Sequence, residues 1–572
     1  MMKVDVKISK STYFLISLVF GGSIFLLAPL GVYVENVDEF SVLGRDLISV
    51  LSLCVLVAVV VTFVCFLVLD RTSELLLAGM AGLVFGISLS IVIQSQFFLW
   101  EFGPLDGRKI DWERWTSIGR LELLLWVASP SFSIFVALRY NAKFRMAING
   151  LFLFVLVSIS GKLLQVDFSD IGDKESPIHD ETFSFDTSNN TLLIVLDTLQ
   201  ADIFGEILTE HPRDLDYLKG FTYYPNTLGG YPTTRVSVSL MLSGKSYKNE
   251  IPLTQWVSEE VTRKTIVDYF RNTGSHTSIV LNGAPAYGVQ HAIIDMATIG
   301  YSGWRKLGIQ VTSVLDAGLF SLVPTLAKPS IYDDGNWTLS KSIHKTARTP
   351  KGAHGADARF VQAFENYFDI QPSLKGSFKY FHLRGAHYPL QVDENFQSAK
   401  RTGSEREDFV RQTRGVFSNL RPMIQTLIEN GIYADTEILI VGDHGSLSVP
   451  VSDIRKSNSA PNAIENTVIS SSRPVFLHKQ KGEAAVALRV SEDARHLADI
   501  PCILSGHTNF FGCEKKAWPA KGNSPRKFYY YRWKHKYWGS DYMPPIQSYT
   551  ISGDVRDLNS WSKGAAFPGP EE

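Results

Sequence analysis

The sequence predicts an N-terminal bundle of five transmembrane helices, followed by an extracytoplasmic α/β domain with a mostly parallel sheet. Two observations support this fold class. Apolar residues crowd into the first third of the 572-residue chain, and apolar strand-like runs alternate with amphipathic helical stretches in the rest. A chain of this length is too long for one compact core. We therefore expect a transmembrane domain at 1–166, a polar linker at 167–190 and the α/β domain at 191–572.

Five apolar stretches are long enough to cross a bilayer, which takes roughly 20 residues. They are Tyr13–Val34, Leu47–Leu69, Leu75–Leu99, Leu121–Leu138 and Met146–Val166. The fourth is the shortest and contains Pro130. Five such stretches in a row argue against buried helices of a soluble protein, and a signal peptide would explain only the first of them.

The distribution of lysine and arginine predicts the orientation of the helices. With the N-terminus inside, the cytoplasmic segments carry seven of these residues and the opposite segments carry five. The short loop 139–145, which holds Arg139, Lys143 and Arg145, is the clearest signal and places the end of the fifth helix outside. An odd number of helices then puts everything after residue 166 outside the cytoplasm.

The charge and the cysteine content of the chain limit the classes of partner and the cellular compartment that fit it. Lysine and arginine number 56 against 57 aspartate and glutamate residues, so the chain has no bulk basic charge with which to bind nucleic acid. Cys54 and Cys65 fall in the second apolar stretch, whereas Cys502 and Cys513 are the only cysteines of the α/β part. In an oxidising compartment these two could pair, and the sequence leaves that pairing open.

Strand-like runs define the α/β part. They are TLLIVLD at 191–197, HTSIVLNG at 276–283, FKYFHLRG at 378–385, TEILIVGD at 436–443 and RPVFLHK at 473–479. The helical stretches Gly355–Phe368 and Ser404–Glu429 fall between them, and Asn430-Gly431 is typical of a helix C-cap. This alternation predicts helices on both faces of the sheet. We interpret the aromatic-rich region Phe528–Trp561 as a packed closing subdomain.

The strand Ile438–Val441 runs directly into Asp443-His444-Gly445. A strand that delivers a carboxylate and an imidazole at its carboxyl end puts two metal ligands where α/β sheets hold their active sites. The earlier strand also ends in an acidic residue, Asp197. Two threonines, Thr233 and Thr234, precede a helical stretch, where such residues are ordinary N-caps when read alone.

Four segments, taken in order, resemble the alkaline phosphatase/sulfatase superfamily. They are LLIVLDTLQAD at 192–202, PTTRVSVSLMLSG at 232–244, HLRGAHYPL at 382–390 and ILIVGDHGS at 438–446. The resemblance implies metal ligands at Asp197, Thr234, Asp443 and His444. It also makes Thr234, ten residues before Gly244, the nucleophile at a helix N-terminus.

The same resemblance assigns two further positions. His387 matches an H-x-P turn that places an imidazole near the substrate phosphate or a second metal, whereas His382 is interpreted as structural. Gln200 stands where many relatives have arginine. Relatives also supply one more histidine, and three residues stay open as candidates for it, namely His478, His496 and His507.

Thr234 also separates the subfamilies. Sulfatases need a cysteine or serine here, followed by proline and arginine at fixed spacing, for oxidation to formylglycine. This chain has Thr234-Arg235-Val236, so sulfate ester hydrolysis is not expected. Threonine is what the phosphodiesterases and the membrane phosphoglycerol and phosphoethanolamine transferases have. The order of helices, linker and extracytoplasmic domain also resembles the lipoteichoic acid synthases and phosphoethanolamine transferases.

This resemblance implies an enzyme of the bacterial inner membrane whose catalytic domain faces the periplasm. We expect it to transfer a phospholipid head group to a cell-envelope glycan through a phosphothreonine intermediate. Phosphoglycerol is favoured over phosphoethanolamine because the ethanolamine transferases carry a glutamate in place of Asp197 and more cysteines. The donor set suits Mn²⁺ or Mg²⁺, and the imidazole keeps Zn²⁺ open. A membrane-anchored phosphodiesterase or phosphatase, and a catalytically silent lipid-sensing regulator, remain as alternatives.

Overall fold

The computed structural model divides into two compact units. One contains Met1–Gly172 and Tyr301–Lys345, and the other contains Asp173–Gly300 and Thr346–Glu572. Residues 9–569 are described except for 37–39, 41, 43, 71–72, 101, 103–104, 106–109, 167–179, 282–288, 290–292, 297–298, 300–302, 336, 341–353, 402, 456–463, 507–523 and 533–540.

Helices along the described residues are, in chain order, α1 Lys10–Glu35, α2 Gly44–Leu69, α3 Glu74–Phe97, α4 Thr116–Arg139, α5 Asn141–Leu163, α6 Ala201–Glu210, α7 Thr234–Ser243, α8 Leu253–Trp256, α9 Ile266–Asn272, α10 Gly303–Leu322, α11 Lys328–Tyr332, α12 His354–Tyr367, α13 Glu405–Glu429, α14 Asn466–Ser471 and α15 Ile500–Leu504. The first five are long and apolar enough to cross a membrane. They confirm five long apolar helices where the sequence predicts them, and they indicate a membrane protein with a C-terminal α/β domain.

Helices α3 and α4 approach each other closely because two glycines face the partner backbone. A Cβ atom at Gly82 would lie 2.6 Å from Ile134 Cα, and one at Gly86 would overlap Pro130. Ser129 Oγ donates a hydrogen bond to Gly86 O at 3.0 Å. The two glycines stand four residues apart, which is the small-residue spacing that allows helices to pack tightly within a bilayer. Pro130 therefore lies inside a spanning helix at this close contact.

The helical unit also contains a segment that the sequence assigned to the α/β domain. The predicted domain at 191–572 is wrong as one continuous piece, because Tyr301–Lys345 groups with the helices. Helix α10 packs against α1, and its Val311 and Val314 are buried in the same apolar cluster as Leu30 and Leu47. An amphipathic pattern alone does not identify the surface that covers its apolar face.

Glu122 of α4 ties this inserted segment to the bundle. The carboxylate is buried, and its Oε1 accepts hydrogen bonds from Gln94 Nε2 at 3.1 Å, Trp100 Nε1 at 2.5 Å and Thr325 Oγ1 at 3.0 Å. Its Oε2 accepts from the backbone N–H of Thr325 at 2.5 Å. Both oxygens of this charge are therefore satisfied by protein donors, as a buried carboxylate requires.

The strands of the second unit are β1 Ser184–Phe185, β2 Asn190–Leu196, β3 Thr222–Tyr223, β4 Thr227–Leu228, β5 His276–Leu281, β6 Ile293–Asp295, β7 Asp369–Ile370, β8 Ser377–Leu383, β9 Thr436–Val441, β10 Phe476–Lys479, β11 Arg489–Val490, β12 Arg495–His496, β13 Arg526–Tyr530, β14 Ile546–Ile551 and β15 Trp561–Phe567. The main sheet has the order β11-β3-β10-β9-β2-β8-β5-β6, and within it only β10 runs antiparallel to its neighbours. A mostly parallel sheet is confirmed.

The central strand β2 is buried on both faces. Leu192, Ile194 and Leu196 belong to one apolar cluster, and Leu193 and Val195 belong to another on the opposite face. Side chains alternate between the two faces of a strand, so helices must cover both sides of this sheet. The run LLIVL at 192–196 is therefore apolar throughout because its side chains pack into apolar clusters on both faces of the sheet.

The predicted linker at 167–190 is too long. Residues 167–179 lie outside the described residues, but Phe183 and Phe185 are fully buried in the core of the second unit. Strand β1 pairs with β7 in a two-stranded parallel sheet, and Asn190 already opens β2. The second half of the predicted linker belongs to the α/β unit, because Phe183 and Phe185 pack into its core.

The aromatic-rich C-terminal region forms a packed three-stranded sheet of β13, β14 and β15. Phe528, Ile551 and Trp561 are buried together with Leu228 and Val468 from the main body of the unit. Cys502 is disulfide-bonded, whereas Cys513, whose pairing with Cys502 the sequence leaves open, lies outside the described residues.

Candidate metal centre

Two neighbouring strands deliver carboxylates to the same edge of the sheet. Strands β2 and β9 are parallel, and their register pairs Val195 with Val441. Asp197 and Asp443 each lie two residues beyond that pair. Since parallel strands in register end at the same level, the two side chains meet just outside the sheet.

Asp197, Asp443 and His444 form the one cluster of potential metal ligands found among the described residues. The ligand atoms of the three side chains all lie within 4.8 Å of one another. His444 Nε2 lies 3.4 Å from Asp443 Oδ2 and 3.7 Å from Asp197 Oδ1. Asp443 and His444 are buried, and Asp197 is partly exposed. Such a group of donors can hold one divalent cation.

The two oxygens of Asp443 have different environments. Oδ1 accepts hydrogen bonds from the backbone N–H groups of Thr198 at 3.0 Å and His444 at 2.9 Å. Oδ2 is buried and has no hydrogen-bond partner among the described residues. A buried carboxylate oxygen without a donor is costly, and a cation at this point would satisfy it.

Backbone strain accompanies the cluster. Thr198, directly after Asp197, has a φ of +59°, which is uncommon for a β-branched residue. The strained turn directs the Thr198 N–H to Asp443, and Thr198 Oγ1 donates to Asp197 Oδ1 at 2.8 Å. Strain of this kind persists where the surrounding structure fixes the chain for a function.

The imidazole of His444 is oriented by the backbone carbonyl of the next residue, Gly445. Nδ1–H donates to Gly445 O at 2.8 Å, which leaves the lone pair of Nε2 directed at the two carboxylates. A Cβ atom at Gly445 would overlap Ser470 O, so only glycine fits after the histidine. In this turn, Asp443 and His444 supply potential metal ligands, and Gly445 allows the close approach of Ser470 O.

Thr234 is the first residue of α7, and its Oγ1 lies 3.4 Å from His444 Nε2. Ser237 Oγ, one turn later, donates to Asp443 O at 2.6 Å and ties the helix to the cluster. Thr233 is the N-cap residue, but its hydroxyl hydrogen-bonds to the hydroxyl of Tyr531. The structure therefore brings Thr234, and not Thr233, to the histidine.

The turn that carries His387 packs against Asp197. Asp197 N donates to Leu383 O at 3.2 Å, and Ala386 N donates to Asp197 O at 3.0 Å. Gly385 has a φ of +58°, and a Cβ there would lie 2.6 Å from Asp197 N. His387 Nδ1 donates to Tyr388 O at 2.7 Å, and the side chain is not one of the clustered ligands. His382 is buried within β8.

Asp357, which no sequence motif singled out, supports this turn through its carboxylate. Its carboxylate is buried and accepts hydrogen bonds from the N–H groups of Arg384 and Gly385, each at 3.0 Å. Burial raises the pKa of Asp357 to about 7, although these two hydrogen bonds lower it. His354 of the same helix hydrogen-bonds to Gly385 O at 3.2 Å, and burial lowers its pKa to about 3.

A signal for these two residues was present in the sequence. His354 and Asp357 stand three apart at the start of a predicted helical stretch, so both lie on one helix face. Tyr531 and Gln200 were also missed as neighbours of the cluster. In the sequence, Tyr531 is one of many aromatic residues near the C-terminus, and only the three-dimensional structure shows its hydroxyl beside Thr233.

Two of the candidate histidines lie elsewhere in the structure. His478 Nε2 contacts Glu437 Oε1 at 2.9 Å, and Glu437 precedes Asp443 by six residues of an extended strand, roughly 20 Å. His496 Nε2 hydrogen-bonds to Lys527 O at 2.9 Å. His507 lies outside the described residues.

Comparison with known proteins gives a family match. Residues 189–488 match the family described as Sulfatase. No curated protein matches the chain. The chain is similar in structure to the lipoteichoic acid synthase LtaP from Listeria monocytogenes, with 12% identity, a TM-score of 0.36, and coverage of 68% of this chain and 88% of that chain.

Two further solved structures are similar at the same level. Ps i-CgsB in complex with k-i-k-neocarrahexaose shows 14% identity and a TM-score of 0.41, covering 64% of this chain and 83% of that chain. The C-terminal periplasmic domain of EcEptC from Escherichia coli, in complex with Zn, shows 13% identity and a TM-score of 0.32, covering 56% of this chain and 82% of that chain.

Proposed function

This chain belongs to the sulfatase family, and within that family we propose that it transfers a phospholipid head group to an extracytoplasmic glycan. One observation carries the proposal. A threonine hydroxyl begins a helix beside two carboxylates and an imidazole that share one edge of the sheet. This arrangement offers a nucleophile, a cation site and backbone N–H groups for a phosphoryl oxygen in one place.

The identity of the nucleophile favours phosphoryl over sulfuryl transfer. Oxidation to formylglycine needs a cysteine or serine side chain, and Thr234 has neither the thiol nor the unbranched hydroxymethyl group. A threonine alkoxide can attack phosphorus directly and form a phosphodiester. We therefore propose that sulfate esters are not the substrates of this member of the family.

The chain's own groups can carry both steps. Thr234 Oγ1 gives up its proton and attacks the phosphorus of the lipid, the bond from phosphorus to the diacylglycerol oxygen breaks, and that oxygen takes up a proton. Thr234 then carries the head group as a phosphodiester. A glycan hydroxyl attacks the same phosphorus, gives up its proton and restores the Thr234 hydroxyl. The N–H groups at the start of α7 hold a phosphoryl oxygen, and His387 moves a proton or binds the phosphate.

A divalent cation fits the donors of this site. Asp197, Asp443, His444 and the Thr234 hydroxyl would hold it, and the orphaned Oδ2 of Asp443 is the observation that supports its presence. Once bound, such an ion lowers the pKa of a coordinated hydroxyl and offsets charge on phosphoryl oxygens. Mostly oxygen donors favour Mn²⁺ or Mg²⁺, and the imidazole also suits Zn²⁺.

The helices and the disulfide support a membrane location for this chemistry. Five helices long enough to cross a membrane keep the enzyme in the same phase as a lipid donor. A disulfide at Cys502 is expected in an oxidising compartment, which agrees with a catalytic domain in the periplasm of a bacterial inner-membrane protein. As head group we propose phosphoglycerol ahead of phosphoethanolamine.

The first experiment follows diacylglycerol release by the full-length protein in vesicles. Labelled phosphatidylglycerol or phosphatidylethanolamine serves as donor, with Mn²⁺, Mg²⁺ or Zn²⁺ added. Release from one lipid that depends on the metal and is lost in Thr234→Ala would support the proposal. Thr233→Ala is the matched control, since it removes the neighbouring hydroxyl that binds Tyr531 and keeps the nucleophile.

The acceptor distinguishes transfer from hydrolysis. Release at an equal rate without a glycan would favour a phosphodiesterase, in which water takes the place of the glycan hydroxyl. No release from either lipid by folded, metal-loaded protein would contradict the transferase and favour a soluble substrate or a silent regulator. Cleavage of an aryl sulfate at a rate above that of the phosphodiester would contradict the choice of phosphoryl chemistry.

A further inference from the structure

Gln200 lies behind the metal centre and connects its two loops. The side chain is fully buried. Gln200 lies three residues after Asp197 and directly before α6. Its Oε1 accepts a hydrogen bond from the N–H of Ser446 at 2.9 Å. Ser446 belongs to the other loop, two residues after His444. One amide side chain therefore spans the loops that follow β2 and β9.

The peptide group that Gln200 holds also orients the metal-binding imidazole. The N–H of Ser446 and the C=O of Gly445 belong to the same planar peptide unit. Its N–H donates to Gln200 Oε1, and its C=O accepts the Nδ1–H of His444 at 2.8 Å. Fixing one side of this plane fixes the other, and with it the direction of His444 Nε2.

The opposite end of the Gln200 amide is anchored in turn. Nε2 donates to Asp202 Oδ1 at 2.7 Å. Asp202 Oδ2 accepts from the N–H of Ser452 at 2.9 Å and contacts Arg406 Nη2 at 3.0 Å. The amide group is thus held in one orientation, with its oxygen toward Ser446 and its nitrogen toward the carboxylate.

Only an amide meets both demands at this position. The Ser446 N–H needs an acceptor, and the Asp202 carboxylate needs a donor. Arginine, the residue of many relatives, has donors only and would leave the Ser446 N–H unpaired. Glutamate would supply the acceptor but would face Asp202 with a second carboxylate.

We propose that Gln200 is a positioning residue of the metal centre, which holds the Gly445–Ser446 peptide plane so that His444 Nε2 points at the cation. The inference rests on the proposed metal centre. Groups that orient a ligating histidine commonly contribute 10- to 100-fold to metal affinity. We therefore expect roughly that loss when the amide is removed.

A second buried glutamine provides a matched control. Gln412 of α13 is also fully buried, and its amide also holds a loop of the same region. Its Nε2 donates to Ala386 O and His387 O, each at 3.1 Å, and its Oε1 accepts from Gln391 N at 2.9 Å. The two glutamines are alike in burial and chemistry, but the hydrogen bonds of Gln412 among the described residues go to the His387 turn and to Gln391 and Val392, not to the Asp443–Ser446 loop.

The test measures metal binding rather than turnover. Full-length wild type, Gln200→Met and Gln412→Met are titrated with Mn²⁺ by calorimetry, and the visible absorption of bound Co²⁺ reports the coordination geometry. Thermal unfolding of the metal-free proteins measures any general loss of stability. We expect Gln200→Met to lose roughly 10- to 100-fold in Mn²⁺ affinity and to change the Co²⁺ spectrum. Gln412→Met, whose amide reaches Asp197 only through the backbone of Ala386, should lose clearly less Mn²⁺ affinity than Gln200→Met while its melting temperature falls.

Two further variants keep the test decisive if Gln200→Met is poorly folded. Gln200→Glu keeps an oxygen for the Ser446 N–H and should lose less affinity than Gln200→Arg, which keeps none. Wild-type affinity and an unchanged Co²⁺ spectrum in Gln200→Met would overturn the inference. An equal loss in Gln412→Met would also overturn it, since the effect would then be general. If the wild type binds neither ion, the proposed metal centre itself is wrong.

Discussion

The helical unit and the α/β unit each bury a carboxylate, and the two carboxylates are treated in opposite ways. In Glu122 both oxygens accept hydrogen bonds from protein donors, namely Gln94, Trp100 and Thr325. In Asp443 one oxygen accepts two backbone hydrogen bonds, and the other has no donor among the described residues. Burial alone therefore does not distinguish an anchor from a ligand.

The difference lies in which groups satisfy the oxygens of each carboxylate. Glu122 is complete without any ligand, so its role is to hold the inserted segment against the bundle. Asp443 Oδ2 has no donor among the described residues, and a cation at the proposed site would satisfy it together with His444 Nε2 and Asp197, which lie within reach of the same point. Buried carboxylates are expensive in either case, and the number of protein donors indicates which kind a given residue is.

The largest effect is expected for Asp443→Ala. Removal of this carboxylate takes away a ligand rather than the support of one, so Mn²⁺ affinity should fall by more than the roughly 100-fold typical of supporting groups. Diacylglycerol release should fall below detection. Calorimetric titration with Mn²⁺ measures the first effect. Asp443→Ala protein that binds Mn²⁺ as the wild type does would place the metal elsewhere.

Glu122→Ala should show the converse behaviour. The Gln94 amide and the N–H and hydroxyl of Thr325 would be left buried and unpaired, at about 1–3 kcal/mol each, so the helical unit should lose roughly 3 kcal/mol or more of its free energy of unfolding. Metal affinity should not change. Unfolding in detergent micelles, followed by tryptophan fluorescence, measures the loss.

Glu122→Gln is the control for this experiment, because it keeps one oxygen as an acceptor and should lose less stability than Glu122→Ala. Equal stability of the wild type and Glu122→Ala would contradict the view of Glu122 as an anchor. A fall in Mn²⁺ affinity in either variant would contradict the division of roles between the two carboxylates.

Asp357 is intermediate between the two, with one backbone donor for each oxygen. Burial raises its pKa from an ordinary 3.8 to about 7. Because the pKa in the folded protein exceeds that in the unfolded chain, its contribution to stability is complete below about pH 4 and is lost as the pH rises through about 7. In Asp357→Asn this loss between pH 4 and 7 should disappear.

Chemical denaturation of the metal-free protein at several pH values tests this sign. Only the wild type should lose stability as the pH rises through about 7, whereas Asp357→Asn should show a flat profile at a level lowered by the one backbone N–H that its amide nitrogen cannot accept. Parallel pH profiles for the two proteins would mean that Asp357 is ionised throughout and is held by its two amide donors alone.

The smallest effect on metal binding is expected for His478→Ala. This histidine is buried in β10 and pairs with the partly exposed Glu437, so the variant should lose roughly 1–3 kcal/mol in stability through lost packing and a lost hydrogen bond, and no ligand of the cation. Mn²⁺ affinity should stay at the wild-type level. Thermal unfolding and Mn²⁺ titration of the same sample measure both quantities. A marked loss of metal affinity would restore His478 as a candidate for the additional ligand.

Much of the fold was accessible from local patterns. The run LLIVL at 192–196 has no polar residue, which favours a strand buried on both faces, and Asn430-Gly431 marked the end of α13, where Gly431 has a φ of +75°. The five spans followed from length and composition in the same way. Asp197 and Asp443 could be expected to meet because parallel strands end together.

What could not be predicted depends on contacts between distant segments. The packing of α10 on the bundle depends on which apolar surface covers it, and Glu122 looked like one polar residue in an apolar stretch. The role of Gln200 requires the orientation of a peptide plane at Ser446, which no sequence pattern encodes. Asp357 reaches the turn at Gly385 from 28 residues away.

The grouping of residues 301–345 with the helices determines how this enzyme can be produced. A shortened chain that begins after residue 166 would keep α10 but lose the helices that cover it, and Val311, Val314 and Leu322 would face water. Exposed apolar patches of this kind drive aggregation. A soluble version for crystallisation or inhibitor screening should therefore also replace 301–345 with a short polar linker, and its yield would compare the two designs directly.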